Sequence, residues 1–146
     1  SDGEYDAGKS EKLDVLAAIN YCFDELNVKD LYLIGWSFGT ELALQYGRDK
    51  RIKELILLSP PMLSTTQDDL NFWAKDGRPI TALIPELDEY LTPQAAKKRF
   101  ASVSNLKQID VKDAKHLWVG EPMVQLVLSE IVKIIAPSRL PLPTEV

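Results

Sequence analysis

Cysteine occurs once in the 146 residues, as Cys22, so no internal disulfide can form. A lone thiol fits a reducing compartment, and the expected location is cytoplasmic. Cys22 itself reads as a small packed residue, with no base placed near it to activate it. Histidine is equally scarce, with His116 alone. Without His/Cys clusters at ligand spacing, no metal site and no cofactor are expected. Long apolar runs are missing as well. The stretch around Leu55 to Leu58 falls far short of the roughly 20 residues that span a bilayer. No block of Lys or Arg stands out, and the net charge of −5 argues against nucleic-acid or anionic-membrane partners. The opening Ser1-Asp2-Gly3-Glu4 lacks the basic and apolar regions of a secretory signal. It also lacks an initiator methionine, so a segment upstream is expected.

What is present is ordinary for a globular protein: 45% hydrophobic and 27% charged residues, enough for one domain with a real core. Residues 1–9 read as polar loop. Ser10 is placed to cap a helix with Leu13, Leu16, Ala17, Phe23 and Leu26 at helical spacing. Apolar runs at Leu31 to Gly35, Ile52 to Leu58 and Ile80 to Ile84, and a weak alternation at Leu106 to Val111, read as strands. Between them lie helices over 38–48, around Asp69 to Lys75, and from Pro93 to about Ser102, with Pro93 at the first helical position. Leu42, Ala43 and Tyr46 form the expected inner face of the first of these. A last helix opens at Glu121-Pro122, with Val124, Val127, Leu128, Ile131 and Ile135 on one face. Strands separated by helices imply a three-layer α/β fold, a parallel sheet with helices on both faces. The domain is expected over residues 1–136, followed by a mobile Pro-rich tail over 137–146.

Gly35-Trp36-Ser37-Phe38-Gly39 sits where the first strand runs into a helix. G-x-S-x-G gains chemical meaning in that context. A serine at the tip of a tight strand-to-helix turn is held in a strained conformation above the sheet, and the flanking glycines leave room for strand and helix to approach. The helix aims its N-terminal amides at the serine, where negative charge develops during acyl transfer. In a parallel sheet, partners belong at the carboxyl ends of later strands. His116 follows the last strand and precedes the last helix, placed to take the serine proton and return it to a leaving group. The orienting carboxylate is sought after Ile84, where Glu86, Asp88 and Glu89 compete. Asp88 is preferred because three residues let the loop turn back over the sheet, with Glu89 next.

These segments resemble the α/β-hydrolase fold family, from the loop after its fourth strand to its last helix (its strands 5 to 8). GWSFG matches the family's nucleophile elbow, PELDEYLTP its acid loop, DAKHLWVGE its histidine loop, and SDGEYDAG the loop after the fourth strand. The acid loop departs most, with Pro85 for the usual glycine and Pro93 one residue late. The resemblance implies Ser37 as nucleophile, Asp88 as acid, His116 as base and the Phe38 amide as one oxyanion donor. The family's second donor comes from a loop after its third strand, and no such loop is present here. The implied activity is hydrolysis of carboxylic esters, with thioesters or amides open, through an acyl-enzyme and without cofactor. Acyl transfer to another acceptor, and a non-catalytic fragment or binding module, stand as alternatives. A dehalogenase would carry Asp in place of Ser37. Trp36, Trp118 and Met62 are the expected substrate-pocket residues. Expected partners are a small ester-like substrate and, at the edge strand 31–35, the missing N-terminal segment or a second copy. Little or no turnover is expected from these 146 residues alone.

Overall fold

The computed structural model describes residues 10–143. Four strands form one fully parallel sheet: β1 (Leu31–Trp36), β2 (Ile52–Leu58), β3 (Ile80–Pro85) and β4 (Leu106–Val111), in the spatial order β1-β2-β3-β4. Helices α2 (Phe38–Tyr46), α3 (Gln67–Asp76) and α4 (Pro93–Arg99) make the crossovers, with α1 (Glu11–Asp24) before β1 and α5 (Glu121–Ile135) after β4. The expected strands are all present. Residues 137–139 add a short 3₁₀ turn.

Alternation along β2 divides the core. Leu55 and Leu57 face one way, joining Ala43 and Leu44 of α2, Leu70 and Trp73 of α3, and Ala96 of α4. Ile56 and Leu58 face the other way, with Leu83, Val111 and Val127 of α5. Burial on both faces explains why β2 and β3 read as continuous apolar runs. The Trp73 indole N–H donates to the Leu44 carbonyl at 2.8 Å, tying α3 to α2 inside the core. Thr66 and Asp69 form a reciprocal capping box that starts α3, and Thr92 caps α4 ahead of Pro93.

Three helix faces differ from the periodicity reading. In α1 the side turned to the core is Val15, Ile19 and Phe23, while Leu13 is exposed, and Leu26 lies past the helix end and is exposed too. Ser10 holds the N-cap position, but its side chain makes no capping bond. In α5 Val127, Met123, Ile131 and Ile134 meet the sheet, and Val124, Leu128 and Ile135 point outward. In α2 the buried positions are Thr40, Glu41, Ala43 and Leu44, not Leu42 and Tyr46.

β1 pairs only with β2 among the described residues and is an edge of the sheet. On one side of it lies an apolar groove of about 300 Å³ lined by Val15, Ile19, Cys22, Leu31 and Leu33. On the other side a groove of about 240 Å³ runs between Trp36 and α5 residues Val124 and Leu128. The segment SDGEYDAG lies outside the described residues, as do 144–146 of the proline-rich tail.

Candidate active site

The carboxyl ends of the strands share one rim, because Trp36 pairs with Leu58, Leu58 with Leu83, and Pro85 with Val111. Ser37 follows β1 directly, with φ 50° and ψ −123°. A positive φ is costly for a residue with a Cβ and persists where the surroundings over-determine it. Here the Ser37 amide donates to the Leu58 carbonyl at 2.9 Å, and its carbonyl accepts the amide and hydroxyl of Thr40. Gly35 permits the turn. A Cβ there would come within 2.5 Å of the Gly39 carbonyl oxygen and 2.7 Å of the Thr40 Cα. Gly39 differs from the expectation, since a Cβ at that position meets nothing within 4 Å. Strand–helix approach rests on one glycine of the pair.

The rim brings Ser37, His116 and Asp88 together across 79 and 28 residues of chain. The His116 Nδ1 lies 2.9 Å from Asp88 Oδ2, and its Nε2 lies 2.8 Å from Ser37 Oγ. A carboxylate only accepts, so the Nδ1–H donates to Asp88, leaving Nε2 to accept the Ser37 hydroxyl. Asp88 is buried and its other oxygen accepts the amides of Tyr90 at 2.8 Å and Leu91 at 3.3 Å. Glu86 instead accepts the Asp113 amide at 2.8 Å, and Glu89 is exposed. The acid and histidine loops are further joined where the Leu87 amide donates to the Ala114 carbonyl.

A cleft of about 300 Å³ opens beside Ser37, bounded by Phe38, Glu41, Pro61, Leu63 and Tyr90. The Tyr90 ring lies against the imidazole, with centroids 4.8 Å apart. Phe38 begins α2, so the positive end of that helix faces the serine. The three residues expected to form the pocket are elsewhere. Trp36 and Trp118 line the groove against α5, and Met62 packs on the core of the opposite face. Trp36 is the last residue of β1 and turns to the α5 side of the sheet, where Trp118 also packs. A larger cleft of about 530 Å³, containing Arg48 and Asp69, meets Ser64 from another side and includes no member of the Ser–His–Asp chain.

Two residues of the site, Glu41 and Tyr90, carry no signal in the sequence. Glu41 is buried, and its Oε1 accepts the amides of Ser64 and Thr65, so it fixes the wall of the cleft. A glutamate in the first turn of a helix gives no sign that it is buried. Tyr90 is two residues past Asp88, a spacing that gains meaning only once Asp88 is placed. Among the described residues no group of three His, Cys, Asp or Glu is arranged to hold a metal ion.

A serine, an imidazole and a carboxylate are thus bonded in that order on the rim of a parallel α/β sheet. The chain belongs to the α/β-hydrolase fold family, whose model matches residues 3–117. A comparison with curated proteins finds no match. Among solved structures it is similar to an alpha-beta serine hydrolase homologue from Coxiella burnetii, at 21% identity and a TM-score of 0.77, covering 92% of this chain and 63% of that one. It is also similar to an a/b serine hydrolase without lid from Xanthomonas campestris, at 21% identity and a TM-score of 0.73, covering 92% and 61%. A Pyrococcus furiosus esterase matches at 18% identity and a TM-score of 0.71, covering 94% and 63%. This chain therefore spans 61–63% of the length of those relatives.

Proposed function

We propose that the chain carries the catalytic triad of a serine hydrolase that cleaves carboxylic esters. The observation that carries the reading is the chain Ser37 Oγ, His116 and Asp88, bonded at 2.8 and 2.9 Å. Ser37 Oγ attacks the ester carbonyl while Nε2 of His116 takes its proton. The buried Asp88 carboxylate stabilises the imidazolium and holds the tautomer. The tetrahedral oxygen is met by the Phe38 amide and the positive end of α2. His116 then gives its proton to the leaving alcohol, and the acyl group stays on Ser37. Water, activated by the same imidazole, releases the acid in the second half-reaction.

The 300 Å³ cleft suits small or medium esters. Eight residues, Ser59 to Thr66, join β2 to α3, which leaves no room there for a large lid. The similarity to a serine hydrolase described as lacking a lid agrees with that. Hydrolysis of p-nitrophenyl acetate by the wild-type chain and by Ser37→Ala tests the proposal. Full activity in the variant would overturn it.

One observation favours a second reading, an incomplete module. The edge of β1, unpaired among the described residues, has apolar grooves on both faces, the setting for a further strand from a longer chain or a second copy. Such a strand would bring the second oxyanion donor, whose loss typically costs about a hundred- to a thousandfold in kcat. Slow turnover that rises when a longer chain is assayed supports this reading.

A further inference from the structure

Resting on the hydrolase reading, we infer that Ser59 and Trp36 are positioning residues that hold the catalytic imidazole through the main chain of His116. Ser59 is the first residue past β2 and is almost completely buried. It adopts φ 48°, in the left-handed region that residues with a Cβ seldom occupy. Its amide donates to the Leu83 carbonyl of β3 at 3.1 Å. Its hydroxyl donates to the His116 carbonyl at 2.9 Å, across 57 residues of chain. The same carbonyl accepts the Trp36 indole N–H at 3.3 Å, across 80 residues. Trp36 immediately precedes the nucleophile.

The base is thus fixed from two sides. Asp88 holds the ring at Nδ1, and the ends of β1 and β2 hold the peptide that carries the ring. Both lone pairs of the His116 carbonyl are used. The same network touches the nucleophile, because the Ser37 amide bonds to Leu58, the neighbour of Ser59. The loop that carries His116 needs this anchorage. It includes Asp113 and Trp118 at φ 58° and 51°, and it contains no regular element between β4 and α5. Strain of this kind persists only where surrounding bonds over-determine the backbone. The Nε2–Oγ distance depends on where that peptide sits, and reaction rates are sensitive to displacements of about 1 Å.

The left-handed φ of Ser59 supplies a clean variant. Ser59→Gly removes the hydroxyl but suits the backbone, so the lost bond and the relieved strain oppose each other in stability. Trp36→Phe removes the indole N–H and keeps an aromatic ring. His116 is the only histidine, so the imidazole of ¹⁵N-histidine-labelled chain is assigned without ambiguity. The experiment compares solvent exchange of the Nδ1–H in wild type, Ser59→Gly and Trp36→Phe, alongside thermal unfolding and the rate of fluorophosphonate reaction at Ser37. The expected result is unchanged cooperative unfolding in Ser59→Gly with exchange about tenfold faster, the effect of one lost hydrogen bond. Trp36→Phe moves exchange the same way by less, since its bond is the longer. Where esters turn over, kcat falls and KM holds. Exchange at the wild-type rate in a folded Ser59→Gly overturns the inference. The exchange readout decides even if wild type fails to react with the fluorophosphonate, an outcome that would overturn the hydrolase reading alone.

Discussion

Replacing Asp88 by asparagine exposes the logic of the site, because the surrounding backbone dictates how the amide must sit. Asp88 Oδ1 accepts two main-chain amides, from Tyr90 and Leu91. An asparagine keeps those bonds only with its oxygen toward the loop, which turns its NH₂ toward Nδ1 of His116. Two donors cannot face each other. The imidazole must then carry its proton on Nε2 and accept at Nδ1, so it presents N–H to Ser37 and cannot take the serine proton. In a serine protease triad the equivalent change leaves the geometry intact and lowers kcat by about 10⁴. Here the same tautomer trap predicts a loss of about 10⁴ in the rate of Ser37 phosphonylation, or about 5.4 kcal/mol of barrier. The fold should tolerate the change, because side-chain volume and both loop bonds are kept. Stopped-flow or quenched labelling with a fluorophosphonate, beside a thermal melt, measures both quantities. An Asp88→Asn chain that melts like wild type and still labels within tenfold of its rate would refute the assigned tautomer.

Gly35→Ala should destabilise by about 1–3 kcal/mol, since its Cβ would meet the backbone of Gly39 and Thr40, whereas Gly39→Ala should leave stability within about 1 kcal/mol. Urea denaturation of the two variants checks the contrast. The hydrogen bond from Arg78 holds the Asp76 carboxyl below its ordinary value, against an opposing effect of burial. Stability from a depressed carboxylate is present above its unfolded pKa and is lost as pH falls through the folded one. Asp76→Asn should therefore cost about 1–2 kcal/mol at neutral pH, and the gap to wild type should close in acid, as read by denaturation across pH. Ile34→Lys places a charge on the exposed apolar side of the β1 edge. On the second-copy reading it should lower self-association in sedimentation velocity while preserving the circular dichroism spectrum.

Most of the architecture is legible in the chain because buried parallel strands are short apolar runs with charged or Gly/Pro borders. The rim positions follow from strand order, and Ser37, Asp88 and His116 are brought together where that order puts them. Helix faces are less legible for a physical reason. Apolar residues surround much of α5, so periodicity alone does not say whether Val127 and Ile131 or Val124 and Leu128 meet the sheet. The cleft is hidden because adjacency to Ser37 in sequence is not proximity to its hydroxyl. Trp36 alternates to the other side of β1 and there bonds to the His116 carbonyl. Glu41 and Ser59 act through long-range bonds to Ser64, Thr65 and His116, contacts that no local pattern announces.

The hydrolase proposal rests on Ser37 as a nucleophile activated by His116. Its most direct test is intact-mass and peptide-mapping analysis of the chain after reaction with a fluorophosphonate, for wild type and His116→Ala. A single adduct on Ser37, lost or greatly slowed in the variant, is the predicted result. An unmodified Ser37, or equal labelling with and without His116, would contradict it.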